Sequence, residues 1–516
     1  MKKILCVLIV MSMFMLSACS NEEEGGASDA TTMYVEMTTA PVGMHPLKTN
    51  DSPSTAVNGQ IFETLYDRSE DGTSYEPNLA SELPVFSEDG LTATIKLREG
   101  VKFQDGSAFT ADDVAYMIDS LKDPDYGSMR PSIVESIDSY EIVDDLTIDL
   151  HLKYVDGVLV AKLAHENSCI VNPELDESKD LMVDPSGAGT GPYEFSSAVS
   201  GSSYVLVAND EYWGGEPSVK TVQFDVVADE STALARLQTG EADFFTGISA
   251  NTLSTASEIE GYTVVNKENS SINYLALRSS EDTAINPLMA NLEFRKAIIE
   301  AIDFDTYIDT MLGDIASRSQ SIVGPTLVGY TEAMEDAGYK YDFEDAQKIV
   351  EDNGWEGETI TLYTSTTKAH QDMAVYIQSE LAKVGLNVEI VQEEWASYLN
   401  NAREDKKLDM SLFSWANVTG DGQQMLEPNF STANGKRVKY NNAEFDALVE
   451  ESVMTTDLKE REEAMLKAVE KIQGDAITTP TYSQNSIYIY NSKKFDNVIL
   501  DAAAQYNIFD VQLASE

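Results

Sequence analysis

The chain is short of the residues that build covalent or metal-held scaffolds. Three cysteines occur in 516 residues, Cys6, Cys19 and Cys169. The first two fall within and at the end of an N-terminal leader, so Cys169 stands alone in the body and no intrachain disulfide can form there. Four histidines, His45, His151, His165 and His370, lie far apart, with none of the few-residue spacing of a zinc site. No Gly-x-Ser-x-Gly elbow is present, and Cys169 has no activating neighbour in sequence. A secreted hydrolase would therefore have to rest on scattered carboxylates, and no catalytic residue, metal ligand or cofactor is assigned. Basic residues are scarce as well: 35 Lys and Arg stand against 88 Asp and Glu, a formal net charge of −53. A surface of that sign repels a phosphate backbone, which argues against nucleic acid as a partner. Past Leu16 no apolar run reaches the roughly 18 residues of a membrane span, so the body is expected outside the membrane.

What is present begins with an export signal. Lys2-Lys3 forms a positive start, Ile4 to Leu16 an apolar run too short to span a bilayer, and Leu16-Ser17-Ala18-Cys19 ends it in small residues before a cysteine. Residues 1–18 are read as a lipoprotein signal peptide, with Cys19 the new N-terminus and its sulfur carrying a diacylglycerol. The acidic, glycine-containing segment 19–32 reads as a flexible tether, about 45 to 50 Å long at full extension. The expected location is the extracytoplasmic face of the cell membrane, held by lipid. The remaining length of about 500 residues suggests two or three subdomains.

The stretch Leu97–Val114 organises the reading. Thr92 to Leu97 alternates like a strand, Val101 to Phe103 forms a second short strand, and Asp105-Gly106 is a tight-turn dipeptide. Thr110 is a helix N-cap with Asp113 three residues on, and Val114, Met117, Ile118 and Leu121 mark one apolar face. Farther along, Pro53 to Tyr66 carries a helical face, and Ser139 to Leu152 holds two strands around Asp144-Asp145. Gly187 to Tyr193 has the glycines of a phosphate loop, but it runs on as strand where such a loop must open a helix. Strand, helix and strand then alternate from Thr359 to Val391, which argues for an α/β lobe. Leu408 to Trp415 is a strand ending in an aromatic, followed by the polar loop Ala416 to Gly422.

Several of these stretches carry a resemblance. Leu97–Val114, Pro77-Asn78-Leu79-Ala80, Gly189-Thr190-Gly191-Pro192-Tyr193, Asn209 to Pro217, Leu237 to Asp243 and Phe294 to Asp303 occur in the order found in family 5 extracellular solute-binding proteins, which these residues resemble. That group contains oligopeptide-, dipeptide- and nickel-binding receptors of ABC importers. The resemblance implies an α/β, two-lobed, periplasmic-binding-protein-like fold (type II, cluster C) with an extra inserted domain. Lobe I is expected at 33–55, 188–272 and 481–516, its insert at 56–187, and lobe II at 273–480. It implies a monomer that captures a peptide in the interlobe cleft and hands it to ABC permease subunits.

The ligand residues the resemblance points to are Trp415, Asn417 and Asp421 after the last lobe II strand, and Thr39, Gly43 and His45 after the first strand. Asp421 is expected to hold the ligand's amino group and Trp415 to wall the pocket, with peptide backbone pairing near Thr38 to Gly43 and Ser414 to Asn417. A nickel chelate is the alternative ligand, for which His45 or His165 and the few arginines Arg68 and Arg130 would serve. A surface sensor on the same scaffold is the alternative role.

Overall fold

The computed structural model describes residues 30–403, 406–500 and 505–515. The leader, Cys19 and most of the tether lie outside the described residues. Ten strands make one long mixed sheet: β1 (Thr32–Met37), β2 (Tyr193–Val199), β3 (Ser203–Ala208), β4 (Thr221–Val226), β5 (Phe244–Phe245), β6 (Tyr262–Leu277), β7 (Thr359–Ser365), β8 (Asn387–Glu393), β9 (Met410–Ala416) and β10 (Thr478–Asn491). Their order is β8-β7-β9-β6-β10-β5-β1-β4-β3-β2, and Ala316–Ser317 adds a short strand against β10.

The two longest strands hold the halves together. β6 and β10 pair antiparallel from Tyr262↔Asn491 to Ala276↔Thr478, with a bulge between Glu268 and Ile272. On one side of that bulge β10 pairs with β5, and on the other β6 pairs with β9. The domain boundaries expected at 272/273 and 480/481 fall inside these strands, where Ile272 lies opposite Ser483. A bulge is a local bend with extra twist, so the crossing point is where the sheet changes direction.

Each half has its own core. Met33 and Val35 of β1, Val57, Ile95, Ile118 and Leu150 belong to one continuous apolar cluster, so the insert and the lobe I sheet share a core. In the other half Leu275 and Leu277 belong to one cluster, and Ile272, Tyr274 and Ala276 to a second. Alternation along β6 therefore places helices on both faces of the lobe II sheet. The insert carries its own four-stranded sheet, Val85–Phe86, Thr92–Lys96, Thr147–Leu152 and Ile137–Asp144 in that order.

Local signals act where the sequence places them. The helix Ala111–Lys122 starts at Thr110, whose N–H donates to the Asp113 carboxylate at 2.8 Å. The helix Glu230–Thr239 ends on Gly240 at φ 76°, and Phe343–Asn353 on Gly354 at φ 68°. Two expectations differ. Val101 to Phe103 is no strand, since Lys102 makes only an isolated bridge to Ala108 across the Asp105-Gly106 turn. The helix expected through Tyr66 ends at Ile61, because Phe62 is already extended.

Candidate functional site

The early stop of that helix builds the site. The helix Ser52–Ile61 is capped by Asp51 and closes with the Phe62 N–H donating to Asn58 O at 2.9 Å. The Ile61 carbonyl is then free of the helix and accepts from the Gly191 N–H at 2.9 Å and from the Gln104 side chain at 3.3 Å. Held there, the chain continues extended and buried, and Phe62, Glu63 and Thr64 line a cavity of about 530 Å³. Other walls come from Ala164, Glu166 and Cys169 of the insert, from Pro192, from Tyr212 and Trp213, and from Asn497, Ile499, Gln505, Tyr506, Asn507, Phe509 and Asp510 of the tail. From lobe II the lining holds Val418 and Thr419. A volume of this size lies in the range of small-ligand sites.

Glu63 is buried at 7% exposure. Its carboxylate accepts from the Tyr212 hydroxyl at 2.8 Å and from the Trp213 indole N–H at 3.1 Å, and its carbonyl accepts from the Ile170 N–H at 2.8 Å. Loss of water around the charge pushes the Glu63 carboxyl up to about 7; the side-chain hydrogen bonds from Trp213 and Tyr212 oppose the shift and the neighbouring Asp67 charge adds to it. The aromatics form a cluster of their own: ring centroids are 5.2 Å apart for Tyr212 and Trp213, and 5.0 Å for Tyr212 and Phe509. Arg98 stacks on the outer face of Trp213 at 4.2 Å.

A raised carboxyl has a measurable consequence. The folded state keeps a proton on Glu63 up to about pH 7, whereas the unfolded chain releases it near the ordinary value of 4.5. This stabilisation is complete below the unfolded value and lost as pH rises through the folded one, which amounts to about 1 kcal/mol between pH 6 and 8. Ligand-free protein is expected to melt at higher temperature at pH 6 than at pH 8. Glu63→Gln should flatten part of that slope, and an unchanged slope would contradict the shift.

The residues expected from sequence are placed elsewhere. Thr39 is exposed, Gly43 packs against Met182, and neither borders the cavity. His45 is 2% exposed, with Nε2 2.9 Å from Asp176 Oδ1 and Nδ1 accepting from the Leu47 N–H. It ties the loop after β1 to the insert, and no wall of the cavity includes it. The Asp421 carboxylate, expected to face a ligand amine, is 2% exposed, and both its oxygens accept from Arg461 Nη2, at 2.9 and 2.8 Å. A carboxylate so far from water needs a charge partner, and the fold supplies one internally. Asn417 is buried and shapes the same loop: its side chain accepts from the Gly420 N–H at 2.9 Å and donates to the Asp421 carbonyl at 2.7 Å. Trp415 is half-buried, 5.6 Å from the Arg437 guanidinium, and outside the cavity lining.

Of the alternative chelate residues, Arg68 does reach the cavity, while His165 and Arg130 are not in its lining. Burial, with the Arg130 and Arg68 charges beside it, holds the His165 imidazole down to about 3. Cys169 is buried in the cavity lining, and loss of solvent raises its thiol well above the ordinary value, so it is an inert small side chain there. Among the described residues no three His, Cys, Asp or Glu side chains are placed to hold a metal ion, and no helix is long and apolar enough to cross a membrane. Among the cavity-lining residues that sequence reasoning passed over are Glu63, Tyr212, Trp213 and Phe509. The available signals were a carboxylate among the apolar Ile61, Phe62 and Leu65 and two adjacent aromatics on a glycine-rich turn.

Comparison with known proteins agrees with this architecture. The chain is 26% identical over 487 residues to heme-binding protein A of Haemophilus influenzae, covering 86% of this chain and 87% of that one. It is 25% identical over 518 residues to the oligopeptide-binding protein AppA of Bacillus subtilis, covering 93% of each. The solved structure of HbpA2 from Haemophilus parasuis superposes with a TM-score of 0.85 at 22% identity, over 94% of this chain and all of that one, and so shares the two-lobed fold. The model of the bacterial extracellular solute-binding proteins, family 5, matches residues 74–437, and with most of its length inside that match this chain belongs to that family.

Proposed function

We propose that the protein captures short peptides in the cavity beside Glu63 and delivers them to the permease of an ABC importer. In this reading it works as a monomer, tethered by a lipid on Cys19 to the outer face of the cell membrane, with lobe I at 33–55, 188–272 and 481–516, its insert at 56–187, and lobe II at 273–480. The supporting observation is the cavity itself. Its walls come from the insert, from the lobe I core and from the tail, and its lip at Val418 and Thr419 comes from the far lobe. A ligand there touches both halves, and contacts made to both in one arrangement favour that arrangement over one with the halves apart. The kinship with an oligopeptide-binding protein supports peptide as the ligand. Heme, the ligand named for another relative, brings two propionates toward a wall rich in carboxylates.

Native mass spectrometry of the purified protein, followed by calorimetric titration with di- to pentapeptides and with nickel–histidine, tests the ligand. Retained peptide masses, and saturable peptide binding at micromolar or tighter Kd, are expected. Saturable binding of nickel–histidine with none of peptides would replace the reading. Deletion that leaves peptide uptake intact would convert the role to that of a sensor.

A further inference from the structure

The charge of the cavity wall is lopsided. Six carboxylates line it, Glu63, Asp67, Glu70, Glu76, Glu166 and Asp510, while Arg68 is the one basic side chain among the described lining residues. The deepest of the six, Glu63, takes its side-chain hydrogen bonds from neutral donors, the Tyr212 hydroxyl and the Trp213 indole, and forms no ion pair with a basic residue among those described. Asp67 and Asp510 both lie near enough to Tyr212 for their charge to disfavour the phenolate. Tyr212 thus donates to one carboxylate, shares the cavity lining with the exposed carboxylates of Asp67 and Asp510, and packs edge-on against Phe509 at 5.0 Å.

Aromatic faces beside carboxylates are what a desolvated organic cation requires. The ring quadrupole attracts it, and the carboxylate supplies the opposite charge that a closed, low-dielectric site would otherwise leave uncompensated. We propose that the cavity selects a ligand carrying a positively charged side group, its ammonium or guanidinium seated at Tyr212 and Phe509 within the carboxylates of Glu63, Asp67 and Asp510. The inference rests on the peptide reading and narrows it to basic peptides. It also gives a use to the net charge of −53, whose field raises the local concentration and encounter rate of a cationic solute and fades with salt.

The test separates the charge from the peptide. Calorimetric titrations at fixed salt and pH 8, above the raised Glu63 value so that its carboxylate is ionised, compare alanyl-lysyl-alanine, alanyl-norleucyl-alanine and 1,5-diaminopentane, the first two differing by one side-chain charge. The lysyl peptide is expected to bind at least about tenfold more tightly than its norleucyl counterpart. Glu63→Gln should collapse that ratio toward one, and Asp510→Asn, at an exposed position, should lower it severalfold while the fold stays intact. Equal binding of the two peptides would overturn the inference and leave the peptide reading standing. Binding of the diamine with neither peptide would remove the peptide reading and keep the selection for charge, and binding of none of the three would remove both. An unchanged ratio in Asp510→Asn and in folded Glu63→Gln would also overturn it.

Discussion

Arg461→Met is expected to lower the unfolding free energy by about 3–5 kcal/mol, the usual cost of stranding one half of a buried ion pair. Arg461 is 4% exposed near the start of the helix Leu458–Gly474, where the helix dipole disfavours a cation, so its place there depends on what it touches. It touches two segments: Nη2 donates to both oxygens of Asp421, and Nε donates to the Ser452 carbonyl at 2.9 Å. Without it the Asp421 carboxylate keeps the Gln423 N–H at 3.0 Å as its one remaining donor among the described residues and stays out of water.

The consequence reaches the cavity, because Val418 and Thr419 sit on the loop that Asp421 closes. Their position is reinforced across the lobes by the Tyr75 hydroxyl, which donates to the Thr419 carbonyl at 3.0 Å. The Ser452 end meets the insert as well, where the Gly157 N–H donates to the Val453 carbonyl at 2.7 Å. One guanidinium therefore joins two lobe II segments, each of which hydrogen-bonds to the first half. Urea denaturation of Arg461→Met, of Asp421→Leu and of the double variant gives the coupling. The double variant is expected to recover most of the loss, since apolar replacement of a whole buried pair is close to neutral. A single-variant loss under about 1 kcal/mol would mean the carboxylate finds water.

How far the sequence reached follows from this pair. Periodicity and caps are local, and they held at several helix ends but not at Ile61, where the helix stops short of the Tyr66 its periodicity implied. Thr110 with Asp113, Gly240 and Gly354 act as their spacing implies. Order along the chain was also enough for the two-lobed fold, which the comparisons bear out. The side-chain partners of Asp421 and His45 were not local. Arg461 is 40 residues from Asp421, and Asp176 is 131 from His45, each on an element whose packing no window of sequence reports. A polar residue on a loop after a strand has the same appearance whether it faces a ligand or a buried partner. Glu63 was hidden for the converse reason: its motif looks like core, and only the break at Phe62 turns the carboxylate to the cavity.

Gly189→Ala is expected to be the other severe change, costing roughly 3 kcal/mol or more and weakening ligand binding with it. A Cβ at Gly189 would lie 1.9 Å from the Ile61 carbonyl oxygen and 2.7 Å from its carbon, and one at Gly191 would lie 2.7 Å from the same oxygen. These are backbone atoms and have no rotamer to change. The oxygen they meet is the one that receives the Gly191 N–H and Gln104, the bonds that hold the chain just before Glu63. The glycines of the Gly189–Tyr193 crossing thus serve close approach of two backbones, and a methyl group there pushes the wall of the cavity as well as the core. Gly201→Ala is the control: its φ is 73° with open space around it, so it pays only for the left-handed backbone, about 1 kcal/mol. Chemical denaturation of the two variants, with peptide titration of whichever stays folded, distinguishes them. Equal losses would mean that the Ile61 backbone gives way to the methyl group at little cost.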